Sequence, residues 1–233
     1  MNEDAGTLAR EARVADLKIP AGDVSLDAEL RIPDGARGVV VFAHGAGSSR
    51  LSPRNRYVAE TLRGHGLGTL LFDLLTHEEE EADFSTARLR FDIDLLAERL
   101  VRASGWLVEE IPHGMPFGYF GASTGAAAAL VAAAYLGPEV AAVVSRGGRP
   151  DLAGDTLERV KSPTLLLVGG RDDLVLALNR SALERLSCEK RLEVVPGATH
   201  LFEEPGALAE VARRASEWFG EYFPRGTAGK ERP

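Results

Sequence analysis

The stretch Gly121-Ala122-Ser123-Thr124-Gly125 decides how this chain folds. It follows a short apolar run at residues 117–120 and precedes an alanine-rich stretch, which predicts a strand, a tight turn and a helix. Glycines suit both ends of the motif, because side chains there would collide with neighbouring backbone. Such a strained turn pushes the serine hydroxyl outward, and the helix N-terminus behind it favours developing negative charge. Ser123 is therefore a candidate nucleophile, and the alternative is a purely structural turn.

Further apolar runs predict the rest of a sheet. Residues 14–19 and 24–30 alternate apolar and polar positions around a Pro-Ala-Gly-Asp turn. This pattern predicts two antiparallel strands with one solvent-exposed face. Six later runs are apolar on both faces, as in the strands of a parallel sheet. These runs are residues 39–42, 69–72, 117–120, 141–144, 164–168 and 192–195.

Helical spacing lies between these strands, at residues 57–62, at 85–104, after Gly125, at 176–186 and at 205–223. Alternating strands and helices indicate βαβ units, so the predicted fold is α/β: a mostly parallel eight-stranded sheet with helices on both faces. No linker or repeat interrupts the pattern. We expect one domain over residues 1–223 and a frayed tail over 224–233.

Composition limits the function classes. The formal net charge of −8 argues against nucleic acid as a partner, because such binding needs a basic face. The acidic N-terminus does not resemble a secretory signal, and no apolar stretch reaches the length of a membrane span. Cys188 is the only cysteine and cannot form an internal disulfide. The expected location is the cytoplasm, with no membrane partner.

A serine nucleophile needs a base and a group that orients it. His200 follows the last predicted strand, on the edge of the sheet that also carries Ser123. Asp172 follows the seventh strand and gives the chain order Ser, Asp, His. Asp173 is the alternative acid, and His200 could instead be a loop residue that binds backbone.

The loop at residues 42–47 follows the third strand and contains His44. We expect it to form an oxyanion hole in which the backbone N–H groups of Thr124 and Ala46 donate hydrogen bonds; Gly47 is the alternative to Ala46. His44 is expected to hold this loop. The other histidines, His65, His77 and His113, are expected at the surface.

With these motifs in place, the chain resembles the α/β-hydrolase superfamily over nearly its full length, and within it the dienelactone-hydrolase-like proteins. The matching pieces are residues 42–49, 71–76, 90–96, 121–125 and 169–172, with His200. The resemblance implies the α/β-hydrolase fold and a triad of Ser123, Asp172 and His200. Dienelactone hydrolases proper use a cysteine nucleophile, whereas Ser123 stands here, so the resemblance does not fix the substrate.

Other features bear on the substrate. About 20 residues separate Val144 from Thr164, too few for a large lid, so we expect an open site. Arg50, Arg146 and Arg149 lie in loops on the active edge and are candidates for binding an anionic substrate; the alternative is solvated surface charge. The acidic run at residues 78–81 is expected to be a solvated loop rather than a metal site. No nucleotide-binding motif is found, so no cofactor is implied.

Three functions fit these residues. The first is a serine hydrolase, a carboxylesterase-type enzyme that cleaves a small carboxylic ester, thioester or lactone through an acyl-enzyme on Ser123. The second uses the same triad on another bond, as a peptidase, an acyltransferase or a C–C hydrolase. The third is a binding protein that keeps the scaffold without turnover. A complete set of Ser, Asp and His favours the first.

Overall fold

The computed structural model describes residues 13–223, which form one eight-stranded sheet in the order β1-β2-β4-β3-β5-β6-β7-β8. β2 runs antiparallel to β1 and β4, and the other pairings are parallel, as the sequence predicts. The strands are β1 (Arg13–Ala21), β2 (Val24–Ile32), β3 (Val39–Ala43), β4 (Gly68–Phe72), β5 (Phe117–Ala122), β6 (Val140–Arg146), β7 (Thr164–Gly169) and β8 (Lys190–Val195).

Helices cover both faces of the sheet, which confirms the predicted architecture. They are α1 (Pro53–Gly64), α2 (His77–Asp83), α3 (Ile93–Glu110), α4 (Thr124–Leu136), α5 (Asp173–Arg185) and α6 (Ala207–Tyr222). α1 and α6 pack together on one face, and α3 packs on α4 on the other. Along β3, Val39 and Val41 join the core under α3 and α4, whereas Val40 and Phe42 join the core under α1 and α6.

The acidic run at residues 78–81 is helical, so its prediction as a solvated loop was wrong. It lies in α2, which begins with a capping box: Thr76 Oγ1 accepts a hydrogen bond from the Glu79 N–H at 3.2 Å, and Glu79 Oε2 accepts one from the Thr76 N–H at 2.8 Å. Glu79 also pairs with the buried Arg99. The cap and this ion pair outweigh the repulsion between neighbouring carboxylates.

The helix predicted at residues 85–104 begins later than expected and ends later. α3 starts at Ile93 because the Asp92 side chain caps it, accepting a hydrogen bond from the Leu95 N–H at 3.0 Å. The residues before it form a 3₁₀ turn at Leu89–Phe91. Apolar spacing extends across this boundary, so periodicity alone placed the helix start too early.

The connection between β6 and β7 contains only a 3₁₀ segment, Pro150–Arg159, so no large lid follows β6. Within residues 13–223, no helix combines the length and the apolar character that a membrane crossing requires. The tail predicted at residues 224–233 lies outside the described residues.

Candidate active site

Ser123 is the single residue between the end of β5 and the start of α4. Its backbone has φ 51° and ψ −121°, a conformation that residues other than glycine rarely adopt. The glycines on either side make the turn possible. A Cβ on Gly121 would lie 2.8 Å from the Ala126 nitrogen, and one on Gly125 would overlap the carbonyl oxygen of Ala43. The predicted strand–turn–helix arrangement is therefore present.

Asp172 and His200 are joined by a hydrogen bond of 2.7 Å between Oδ2 and Nδ1. The Asp172 side chain is 14% exposed and that of His200 is 38% exposed, so the imidazole is accessible while its partner is largely covered. Asp173, the alternative acid, is exposed and begins α5. A backbone hydrogen bond joins the two loops that carry this pair: the Arg171 N–H donates to the Ala198 carbonyl at 2.9 Å.

The end of β6 lies between Ser123 and His200. The Ser123 N–H donates to the Arg146 carbonyl at 3.3 Å. A Cβ on the next residue, Gly147, would lie 3.5 Å from Cε1 of His200. The turn with Ser123 and the loops with Asp172 and His200 thus lie at the same carboxyl edge of the sheet, after β5, β7 and β8. That arrangement can support proton transfer from a hydroxyl to an oriented imidazole.

His44 is fixed in one neutral form by backbone contacts. Its Nε2 accepts a hydrogen bond from the Leu74 N–H at 3.0 Å, so its Nδ1 carries the proton and donates to the Gly45 carbonyl at 3.0 Å. Burial lowers the pKa of His44, which favours the neutral ring. The residue ties the 44–49 loop to the end of β4 and is not free to act as a base, in agreement with its predicted role.

The two predicted oxyanion donors lie next to each other. The Ala46 N–H donates to Oγ1 of Thr124 at 2.9 Å, a contact that the sequence did not indicate. The Thr124 N–H belongs to the first turn of α4, where such groups have no acceptor within the helix. The loop lies close to Ser123, since a Cβ on Gly45 would be 3.8 Å from Ser123 Oγ. The Ala46 N–H can therefore donate to a substrate oxyanion only if the oxyanion takes the place of the Thr124 hydroxyl as its acceptor.

A cavity of about 590 Å³ opens beside this loop. One wall is the 44–49 loop, and the opposite wall comes from α2, α3 and the residues around them. Leu51 and Phe84 line it and are largely exposed, which gives the rim an apolar character. Glu80 also lines it, and burial, together with the charge of Asp73, raises the pKa of this carboxyl. The cavity is open to solvent and mixed in polarity, and its lining does not include Ser123, Asp172 or His200.

The three arginines predicted to bind substrate differ in their surroundings. Arg50 forms an ion pair with Asp73, and Arg149 forms a two-pronged pair with Asp151 at 2.7 and 2.9 Å. Arg146 is 8% exposed and has no carboxylate partner among the described residues. Two of the three charges are thus already compensated within the protein.

The remaining predictions on side chains concern the surface and metals. His65, His77 and His113 are exposed, as predicted. In the part of the chain that the structure describes, no group of three or more His, Cys, Asp or Glu side chains could hold a metal ion.

The sheet order and the strained serine turn define the class of protein: an α/β-hydrolase fold. Comparison with known families is more specific, because residues 26–223 match the dienelactone hydrolase family. The chain belongs to the dienelactone hydrolase family and has the α/β-hydrolase fold. The crystal structure of dienelactone hydrolase from Anabaena variabilis is 59% identical, covers 91% of this chain and 99% of its own, and has a TM-score of 0.89.

Two further proteins match this chain. Est1E from Butyrivibrio proteoclasticus is 16% identical with a TM-score of 0.74, over 89% of this chain and 98% of its own, and shares the fold. A Mycobacterium tuberculosis H37Rv protein, provisionally named a phosphoribosyl transferase, is 57% identical over 212 residues. That match covers 91% of this chain but 47% of the relative, so this chain spans about half the relative's length.

Proposed function

We propose that this hydrolase is a serine esterase that cleaves a small carboxylic ester, thioester or lactone, with Ser123 as nucleophile. The observation that carries the proposal is the 2.7 Å hydrogen bond between Asp172 and His200, on the sheet edge that holds the strained Ser123 turn. A carboxylate at Nδ1 fixes the proton there and leaves Nε2 as the basic nitrogen. A binding protein has no need for this arrangement.

In the first half of the reaction, Ser123 Oγ attacks the carbonyl carbon of the substrate and its proton passes to His200 Nε2. The carbonyl oxygen becomes an oxyanion, which the N–H groups of Thr124 and Ala46 stabilise. The intermediate collapses, the bond to the leaving oxygen or sulfur breaks, and that atom takes the proton from His200. The acyl group then remains on Ser123.

In the second half, water replaces the leaving group. His200 Nε2 takes a proton from the water as its oxygen attacks the acyl carbon, and a second oxyanion forms at the same place. Collapse breaks the bond to Ser123 Oγ, which recovers its proton from His200. The acid product leaves, and the enzyme returns to its starting state. Asp172 stabilises the imidazolium in both halves.

The transferase name of the Mycobacterium relatives does not alter this proposal. It belongs to proteins of which this chain matches 47%, so more than half of each lies outside the match. This chain holds the Ser123 turn and the Asp172–His200 pair, an arrangement that supports acyl transfer to a serine.

Steady-state hydrolysis of p-nitrophenyl acetate, butyrate and octanoate tests the proposal, with Ser123→Ala as control. We expect kcat/KM for butyrate to exceed that for octanoate by roughly tenfold or more, because the cavity is open and has no lid to enclose a long chain. Ser123→Ala should lose at least about 10³-fold in kcat. Equal rates for wild type and Ser123→Ala, or no hydrolysis of any ester, thioester or lactone by folded enzyme, contradicts it.

A further inference from the structure

The strained backbone of Ser123 is held by the chain at the end of β6. The Ser123 N–H donates to the carbonyl of Arg146, the last residue of β6, at 3.3 Å. The Ser123 carbonyl accepts from the Arg149 N–H at 3.1 Å. Because both backbone groups of the serine bind this short segment, the position of the serine hydroxyl depends on where residues 147–149, the 147–149 loop, lie.

The 147–149 loop also lies against the imidazole. A Cβ on Gly147, which has φ 50°, would be 3.2 Å from the carbonyl oxygen of His200 and 3.5 Å from its Cε1. The Gly147 N–H donates to the Leu167 carbonyl of β7 at 2.8 Å. The loop therefore contacts His200 and binds the backbone of Ser123, so a displacement of the loop changes the geometry between these two residues.

Asn179 of α5 binds this loop through its side-chain amide. Its Nδ2 donates to the Gly148 carbonyl at 2.9 Å and to the carbonyl of Val175, one turn earlier in α5, at 2.8 Å. Only the NH2 group of an amide can donate to two carbonyl oxygens, so these contacts fix the orientation of the amide. Since α5 begins directly after Asp172, Asn179 joins the element that follows the acid to the loop that holds the serine.

An amide at position 179 carries a cost in stability. Asn179 is fully buried, and its Oδ1 has no hydrogen-bond partner among the described residues. A buried amide oxygen without a partner destabilises the folded state, whereas leucine has a similar size and no polar atom in its side chain. Stability alone therefore does not explain the amide. What it contributes is the hydrogen bond that holds the Gly148 carbonyl.

We propose that Asn179 is a positioning residue for the reaction at Ser123: through the Gly148 carbonyl it holds the 147–149 loop, and the loop keeps Ser123 and His200 in the geometry for proton transfer. The inference rests on the proposed esterase function. Asn179 is fully buried, so it acts through the loop backbone and not by contact with substrate. A misplacement of about 1 Å between reacting groups can lower a rate by about 100-fold. Loss of the Asn179–Gly148 hydrogen bond should therefore lower kcat and leave substrate binding largely unchanged.

The test measures kcat and KM for p-nitrophenyl butyrate in wild type, Asn179→Leu and Ser216→Ala. We expect Asn179→Leu to lower kcat by about 10- to 100-fold and to leave KM within about threefold of wild type. Its Tm should stay close to that of wild type, because the variant removes one buried unpaired group, Oδ1, and leaves another, the Gly148 carbonyl. Wild-type kcat in folded Asn179→Leu, or a loss confined to KM, overturns the proposal.

Ser216→Ala is the matched control. Ser216 is a polar residue of α6 that is 5% exposed, and its hydroxyl donates to the Ala212 carbonyl of the same helix at 2.8 Å. The variant therefore loses a buried hydrogen bond that lies within one helix and does not reach the 147–149 loop. Its kcat and KM should match those of wild type.

A second variant, Asn179→Ser, isolates the contact with the loop. A serine in a helix can donate to the carbonyl four residues earlier, as Ser216 does, so this variant can keep the bond to Val175. Its side chain is too short to reach the Gly148 carbonyl. We expect kcat to fall as in Asn179→Leu, and Asn179→Ser replaces that variant in every comparison if the leucine variant does not fold. Wild-type kcat in Asn179→Ser overturns the proposal.

Amide hydrogen exchange tests the same contact without a substrate. In Asn179→Leu, the N–H groups of Gly147 and Arg149 should exchange at least about tenfold faster than in wild type, and in Ser216→Ala they should exchange at the wild-type rate. Faster exchange supports the hold on the loop even if wild type cleaves no ester, thioester or lactone, a result that contradicts the esterase proposal alone. Unchanged exchange at Gly147 and Arg149 overturns the positioning role even if wild type is an active esterase.

Discussion

Backbone strain coincides with the candidate site. The residues other than glycine with positive φ among those described are Ala87, Ser123 and Phe202. Ser123 is the proposed nucleophile, and Phe202 lies two residues beyond His200. Such conformations cost on the order of 1–3 kcal/mol each, and they persist where the surroundings enforce them. Strain at these two positions serves to present the hydroxyl and to shape the loop that carries the imidazole.

The choice between the two adjacent aspartates can be tested directly. Asp172→Asn should lower kcat for p-nitrophenyl butyrate by about 10⁴-fold, because an amide favours the wrong imidazole tautomer and cannot stabilise the imidazolium. Asp173→Asn is the matched control: its side chain is exposed at the start of α5, and kcat should stay within about threefold of wild type. The reverse pattern would assign the acid to Asp173.

The sequence alone could not settle these residue-level questions. Asp172 and Asp173 are neighbours, and only the place where α5 begins points one toward His200 and the other to solvent. The loop arginines were equally ambiguous, since their pairing depends on carboxylates brought in by the fold. Asp151 lies two residues from Arg149, whereas the charge that acts on Arg146 belongs to Arg54, which lies in α1. Motif spacing carries no information on such long-range pairing.

At the level of elements, the nucleophile turn depends on close packing of α4 against the end of β3. Gly125 faces the carbonyl oxygens of Ala43 and His44, which leaves no room for a Cβ. The same approach brings the 44–49 loop near Ser123. The glycines of the motif are therefore needed to bring the 44–49 loop close to Ser123, and not for the turn alone.

Replacing this glycine tests the packing. Gly125→Ala should lower Tm by several degrees and abolish ester hydrolysis, because the added Cβ pushes α4 away from β3. Gly105→Ala is the control, since Gly105 is an exposed residue of α3 with open space around it. That change should raise the free energy of unfolding by about 0.5–1 kcal/mol. Wild-type Tm and activity in Gly125→Ala would contradict the account.

Strands and helices could be predicted from the sequence where a single pattern, such as an apolar run, was clear. The strands were recognised because residues such as Val39–Ala43 are apolar on both faces, and each of these five is buried. The α2 region was misjudged because four consecutive glutamates suggest solvation, although Thr76 and Glu79 form a capping box that is visible in the sequence. The start of α3 was placed too early for a different reason: apolar spacing extends to the N-terminal side of Asp92, the residue that caps the helix.

On the scale of the whole molecule, topology brings the site together. β5, β7 and β8 are parallel, so the residues that follow them meet at one edge although 77 positions separate Ser123 from His200. The chain order and the sheet could be predicted because the strands and helices alternate. The cavity could not, because its far wall comes from α2 and its neighbourhood, where the prediction was wrong.

We propose that the fold activates Ser123 through His200 and Asp172. Intact mass spectrometry after incubation with a fluorophosphonate probe tests it most directly, on wild type, Ser123→Ala and His200→Ala. We expect one covalent adduct on the wild type, none on Ser123→Ala and a strongly slowed reaction on His200→Ala. An adduct that persists on Ser123→Ala, or none on folded wild type, would contradict it.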